Sequence, residues 1–328
     1  MKKTFTLLIL FVVAIVGHSQ NLNEDFLPLL KGPAEVRAMA LQQDGKMILT
    51  GNFITVDSSF VEGLVRINPD GTLDPSFQFT DEIEVGINDI HVLENNKILI
   101  GGQFENSHLD NLMLLNEDGT IDRNYNYDVD IVFDFAVQSD GKIVVAHLGD
   151  NLFTRLNSDG SIDETFLAEG TVNSLGTFNF TVKTQPDDKI VVAGVFDTYN
   201  NMTANGVVRL NADGTLDTGF DAGTGPSGGS TAIRDIGIQS DDKIVLVGDF
   251  ENFNDLPTNN IIRLNSDGSV DETFFIAGQL ASLYTHPFYT LYNLKVLNND
   301  ELLLIVDIPA IADTHSGNSR TLFSKKFS

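Results

Sequence analysis

Cysteine is absent from all 328 residues, which excludes disulfides, a lipidated N-terminal Cys and thiol chemistry, and removes the commonest zinc ligand. Positive charge is scarce: 20 Lys and Arg stand against 46 Asp and Glu, a formal net charge of −26. A surface of that sign argues against nucleic acid and anionic membranes as partners and leaves cations and cationic partners open. Long apolar runs are confined to the first residues, where Lys2 and Lys3 precede Phe5 to Val16 and then the small residues Gly17 and Ser19. That pattern predicts a secretory signal peptide over residues 1–19. The expected product is exported, periplasmic or secreted, with no membrane insertion. Hydrophobic residues are 42% of the chain, ample for a core, so the acidity belongs to a folded protein and not to a disordered one.

What is present is repetition. The segment RLNSDGSIDETF (155–166) returns as RINPDGTLDPSF (66–77), LLNEDGTIDRNY (114–125), RLNADGTLDTGF (209–220) and RLNSDGSVDETF (263–274). Ahead of each lies a second segment whose leading Lys recurs at 46, 97, 142, 189 and 243. A period of about fifty residues with four short strands per unit predicts propeller blades.

Both segments read as hairpins. A three-residue loop built on a type I turn ends in a left-handed residue and asks for Asn or Asp early, Pro second and Gly last. NPDG (68–71) fits, with Pro69 second and Gly71 last; in the other hairpin Asp188, Asp242 and Asn96 replace Gly as residues that tolerate the left-handed region. This register sets Arg66 opposite Asp74, Arg155 opposite Asp163, Arg209 opposite Asp217 and Arg263 opposite Asp271. In the second unit Leu114 replaces the Arg, leaving Asp122 without its expected partner. Asn157, Asp159, Gly160 and Asp163 resemble half of a calcium loop, but an EF-hand alignment puts Arg155 and Phe166 where acidic ligands belong. The hairpin reading is preferred and no metal site is assigned.

The strand after each Lys is almost continuously apolar, as expected where both faces are buried. Gly51, Gly102, Gly194 and Gly248 within it suggest close approach near a narrow centre. Phe53, Phe104, Phe196 and Phe250 two residues later suggest core filling between blades. The expected fold is all-β: a six-bladed β-propeller of four-stranded antiparallel blades, a single domain over 20–328. Its repeats lie at about 35–79, 84–127, 130–167, 178–221, 231–275 and 288–328, and the N-terminal strand 21–27 closes the last blade. The paired motifs DGKIxVxGxF and RLNxDGxxDxxF resemble the delta-60 repeat of secreted bacterial proteins. That resemblance covers nearly all of the mature chain and implies a propeller-type fold more than any function.

Local chemistry is sparse. The loop GTGPSGGS (223–230) satisfies both GxGxxG and GxSxG, but a dinucleotide loop or nucleophile elbow must open a helix, and this one leads into TAIRDIGIQ. The histidines at 18, 91, 108, 147, 286 and 315 show no ligand spacing, and His147 reads as packing. In a four-stranded meander the tight turns share one rim and the longer connections the other. The variable loops 106–111, 197–206, 251–260 and 309–318 are therefore the candidate recognition surface. Their tips offer His108, Tyr199, Asn200, Phe253 and Asn254 for a glycan, peptide or protein ligand. The expectation is a binding or scaffold module with no cofactor and no catalysis. Two other readings stay open: an extracellular lyase or hydrolase with a multi-blade site at the axial mouth, and a calcium-stiffened surface protein.

Overall fold

A computed structural model of the chain describes residues 30–31, 36–51, 55–56, 59–60, 63–79, 86–104, 111–123, 129–149, 152–168, 172–174, 180–258, 260–274, 290–296, 300, 302–308 and 319–324. The segments expected to be a signal peptide (1–19) and a closing strand (21–27) lie outside the described residues, as do Phe53 and His108. All regular structure among the described residues is β, in antiparallel sheets. The chain divides into two compact units, residues 1–131 with 307–324 and residues 132–306 with 325–328.

The first unit carries two repeat sheets. One joins Val36–Leu41, Met47–Gly51 and Leu64–Ile67; the other joins Ile87–Val92, Ile98–Gly102 and Leu112–Leu115. Between them Ile48, Leu64, Ile90, Ile98, Ile100, Phe104 and Leu115 form a core. In the second unit three sheets repeat the plan: Val132–Val137 with Ile143–His147 and Phe153–Leu156; Phe180–Thr184 with Ile190–Gly194 and Val207–Leu210; Ala232–Ile238 with Ile244–Asp249 and Ile261–Leu264. Thr290–Val296 packs on Ala232–Ile238. Every residue of Ile98–Gly102, Ile143–His147 and Ile190–Gly194 is buried; the sheet of Ile190–Gly194 has a sheet packed on each face, which explains its continuously apolar run.

The turns match their residues. Left-handed dihedrals fall at Gly45, Asn96, Gly141, Asp188 and Asp242 in the first hairpins, and at Gly71, Gly119, Gly160, Gly214 and Gly268 in the second. The second hairpin's register is fixed by single bridges, Ile67 to Leu73 and its four counterparts.

Those bridges also correct the four-stranded expectation. Each repeat sheet has three strands, and the fourth segment contributes one bridge before leaving the ladder. The cause is the Asp that follows. Asp74 Oδ1 accepts from the Ser76 amide and hydroxyl at 2.9 and 2.6 Å, and the Phe77 amide donates to the Asp74 carbonyl. This side-chain turn stops pairing and sends Gln78 to donate to the carbonyl of Asp118 in the next repeat.

The recurrent Gly of the second strand has a more local cause than a narrow centre. A Cβ on Gly102 would lie 1.9 Å from the carbonyl oxygen of Gly86, and one on Gly248 would lie 2.1 Å from that of Ala232. Both meet the first strand of their own sheet beside its β-bulge, at Ile87/Asp89 and Ile233/Asp235. Replacing Gly248 by Ala forces the bulged backbone to move, at a cost of about 1–3 kcal/mol. A thermal melt of Gly248→Ala is expected several degrees below that of the parent chain, and an unchanged midpoint would contradict this packing account.

Candidate functional site

Within each unit one recurring assembly joins neighbouring repeats. The Arg66 Nε donates to Asp74 Oδ2 at 2.8 Å, its guanidinium lies 4.9 Å from the Phe77 ring centroid, and its NH1 donates to the Glu117 carbonyl of the next repeat. Arg155 does the same with Asp163, Phe166 and the Ala212 carbonyl; Arg209 does so with Asp217, Phe220 and the Ser266 carbonyl. Lys46, Lys142, Lys189 and Lys243 add a second cation to each Asp at 3.1, 3.0, 3.5 and 3.2 Å. Asp122 is not orphaned by Leu114, because Lys97 Nζ lies 2.5 Å from its Oδ2.

Carboxylates in these turns are occupied internally. The Thr165 hydroxyl, with Lys142 and Arg155, holds Asp163 well below the ordinary carboxylate range, against the opposing effect of burial. Burial likewise pushes Asp74 and Asp271 upward, but hydroxyl, amide and cation partners outweigh it and hold both low. Asp159 Oδ1 accepts from the Ser161 amide and hydroxyl at 3.0 and 2.7 Å. These bonds are those of a turn. Among the described residues no group of three or more His, Asp and Glu is arranged to hold a metal ion.

A second set of carboxylates sits on the first strands, at the bulges. Asp134 Oδ1 accepts from the Phe135 amide at 2.8 Å, while Oδ2 accepts from the Val182 amide and the Thr181 hydroxyl at 2.9 and 2.7 Å. Lys183 Nζ donates to both oxygens. Asp235 repeats the pattern one sheet pair later, accepting from the Ile236 and Leu294 amides at 2.8 Å each. Each carboxylate thus ties its own bulge to the first strand of the following sheet. Sequence reading missed this pair; its signal is an Asp inside a first strand, at the third position of VFDFAV and the fourth of AIRDIGI. Burial pushes Asp235 up to about 6; Lys183 works against the rise and the Asp134 charge adds to it. His147 is a packing residue as expected, with Nδ1 2.9 Å from the Leu148 carbonyl and Nε2 2.9 Å from the Thr154 hydroxyl.

The long connections of the fourth and fifth repeats fold into hairpins. Phe196–Tyr199 pairs with Met202–Thr203, and Asn252–Phe253 with Leu256–Pro257. Positive φ at Asn200 and Asn201, and at Asn254 and Asp255, makes both connections two-residue primed turns, the type whose twist suits a hairpin. The paired side chain on each first arm turns inward: Tyr199 is 1% exposed and Phe253 0%. The expectation of Tyr199 and Phe253 as exposed recognition tips is therefore corrected; both are core aromatics, Phe253 6.2 Å from Phe250. Asn200 is exposed at its turn.

Asn254 holds the glycine-rich loop. Its Nδ2 donates to the Ala222 carbonyl at 2.9 Å, and its Oδ1 accepts from the Gly225 amide at 2.9 Å and the Thr224 hydroxyl at 3.2 Å. From the neighbouring hairpin Asn205 Nδ2 donates to the Gly223 carbonyl at 2.8 Å. Pro226–Ser227 then pairs with Asn252–Phe253. A Cβ on Gly225 would lie 2.2 Å from the Asn205 carbonyl oxygen, so glycine here serves a tight strap between two hairpins. The strap leads into the strand Ala232–Ile238, which excludes a dinucleotide loop.

The family comparison matches residues 42–77, 93–125, 138–166, 185–220 and 239–274 to "Domain of unknown function (DUF5122) beta-propeller". The chain belongs to this family. No curated protein matches it. Among solved structures it is similar to a virginiamycin B lyase from Staphylococcus aureus, at 14% identity and a TM-score of 0.53, covering 98% of this chain and 90% of that one. It is also similar to a streptogramin B lyase, at 13% identity and a TM-score of 0.51, covering 89% and 84%. At such identities the likeness is one of fold.

Two outcomes follow from the buried groups. Because Asp235 is raised from 3.8 to about 6, the folded state holds its proton more tightly than the unfolded state, and its contribution favours folding as pH falls from 7 toward 5. Asp235→Asn removes that gain, so the melting temperature of the parent minus that of the variant should rise from pH 7 to pH 5; parallel curves would contradict it. The turn aspartates act with the opposite sign, their contribution being lost only as pH falls below 3.8. Tyr199 is buried with its hydroxyl unpartnered and pushed up to about 12 by burial. An unsatisfied buried hydroxyl costs about 1–3 kcal/mol, so Tyr199→Phe should melt at or above the parent temperature.

Proposed function

We propose that this DUF5122 beta-propeller protein is an exported binding or scaffold module that presents its hairpins and strap to a glycan, peptide or protein ligand. In the same reading it forms six blades, the delta-60 type of repeat, with the segment 21–27 completing the last. Five matched repeats and the further strands Thr290–Val296, Leu302–Ile308 and Ser319–Ser324 support that count.

The observation that carries the binding reading is the hairpin–strap–hairpin surface of the fourth and fifth repeats. Asn205 and Asn254 fix the strap from both sides, so Asn200, Asn201 and Asp255 stand exposed on a rigid base. Preorganised loops on a stiff scaffold suit recognition because little ordering entropy is lost on binding. The buried carboxylates of the first strands, Asp134 and Asp235, are engaged by backbone amides. Their work is structural, which favours binding over acid–base chemistry.

Glycan and peptide arrays probed with the full chain should return a ligand whose affinity falls at least about fivefold, roughly 1 kcal/mol, in Asn254→Ala, since that change frees the strap. A ligand recovered cleaved after incubation would contradict the reading. So would a ligand whose binding is untouched by Asn254→Ala and Asn200→Ala.

A further inference from the structure

The two hairpins match in more than backbone. Tyr199-Asn200-Asn201-Met202 and Phe253-Asn254-Asp255-Leu256 each place a buried aromatic opposite an aliphatic side chain across the turn. Those aliphatics face water: Met202 is 51% exposed and Leu256 45%. The strap makes the surface between them continuous, because Pro226 lies 3.6 Å from the position of a Cβ on Gly206 at the base of one hairpin and pairs with Phe253 in the other.

Charge on this surface has one sign. Asp197, Glu251 and Asp255 are exposed, and residues 196–206, 222–232 and 249–260 contain no Lys, Arg or His. In the hairpins at the opposite end of the sheets, exposed Asp140, Asp187 and Asp241 are each paired with a Lys at 3.3–3.6 Å. No such pairing occurs for Asp197, Glu251 or Asp255 among the described residues. Uncompensated carboxylates around exposed aliphatic side chains form the complement of a chain that carries both cations and apolar groups.

We propose that the hairpin tips of the fourth and fifth repeats, with the strap between them, dock a cationic, apolar peptide segment of a partner protein. The proposal rests on the binding reading above and narrows its ligand to one class. Met202 and Leu256 supply the apolar contacts, and Asp197, Glu251 and Asp255 the charge that orients the segment.

The test is calorimetric titration of the full chain, at physiological ionic strength, with a decapeptide alternating Lys and Leu, against Lys/Ser and Glu/Leu peptides of the same length. Only the Lys/Leu peptide should bind measurably. The double variant Met202→Ser/Leu256→Ser should weaken it about tenfold or more, whereas Ile162→Ser, at a 50% exposed position in another repeat, should leave it unchanged. Glu251→Gln/Asp255→Asn should weaken binding and flatten its salt dependence. Equal binding of the Lys/Ser peptide would overturn the proposal, showing attraction to net charge alone, as would full binding by the Met202/Leu256 variant. If an array ligand binds these hairpins while the Lys/Leu peptide does not, the partner class is wrong and the binding reading stands. If neither binds, both fall.

Discussion

The guanidinium clasp is the interaction on which the repeat architecture depends. One Arg side chain pairs with the Asp across its hairpin, lies under the Phe that ends the repeat, and reaches a backbone carbonyl 51 or 57 residues further on. A small sheet cannot bury two apolar faces by itself, so the repeats must be fastened to one another. A buried charge can do the fastening only if every donor finds an acceptor. The clasp goes toward that condition with a carboxylate, a ring and a carbonyl, and the Gln beside it adds a further acceptor. Gln138 and Gln185 accept from their own Arg and donate to the next repeat's turn at Asp188 and Asp242.

From this follows the motif's otherwise puzzling length. A hairpin alone requires Asn, Asp and Gly at the turn; the conjunction of Arg before it with Asp and Phe after it serves contacts between repeats. The same Asp ends the fourth segment by capping its own backbone, so pairing and departure are set by one side chain. On the first strands, the bulge carboxylates of Asp134 and Asp235 provide a second fastening. Between these two sets of fastenings the second strands carry mostly apolar bulk.

Much of the fold was legible because its signals are local and repeated: the left-handed turn positions, the Arg–Asp register and the apolar second strands all follow from residues within one hairpin. The alternation of the fourth segment suggests a full strand; what ends it is a side-chain hydrogen bond that a pattern cannot show. The cation on Asp122 is not legible within its own hairpin, because Lys97 approaches from the other one. At the hairpins the residue types of Tyr199 and Phe253 suggest tips, but both side chains turn inward. Their cross-strand partners Met202 and Leu256, about half exposed, carry no signal in the sequence pattern. The buried Asp134 and Asp235 escaped because their partners lie in other repeats.

Hydrogen exchange on Arg209→Leu tests the central claim most directly. If the clasp fastens neighbouring repeats, protection must fall both in Ile190–Gly194 of its own sheet and in Ile244–Asp249 of the next, because the Ser266 carbonyl and the Asp217 pairing are lost together. Loss of protection confined to the 209–217 hairpin would contradict the account and reduce the clasp to a local turn contact.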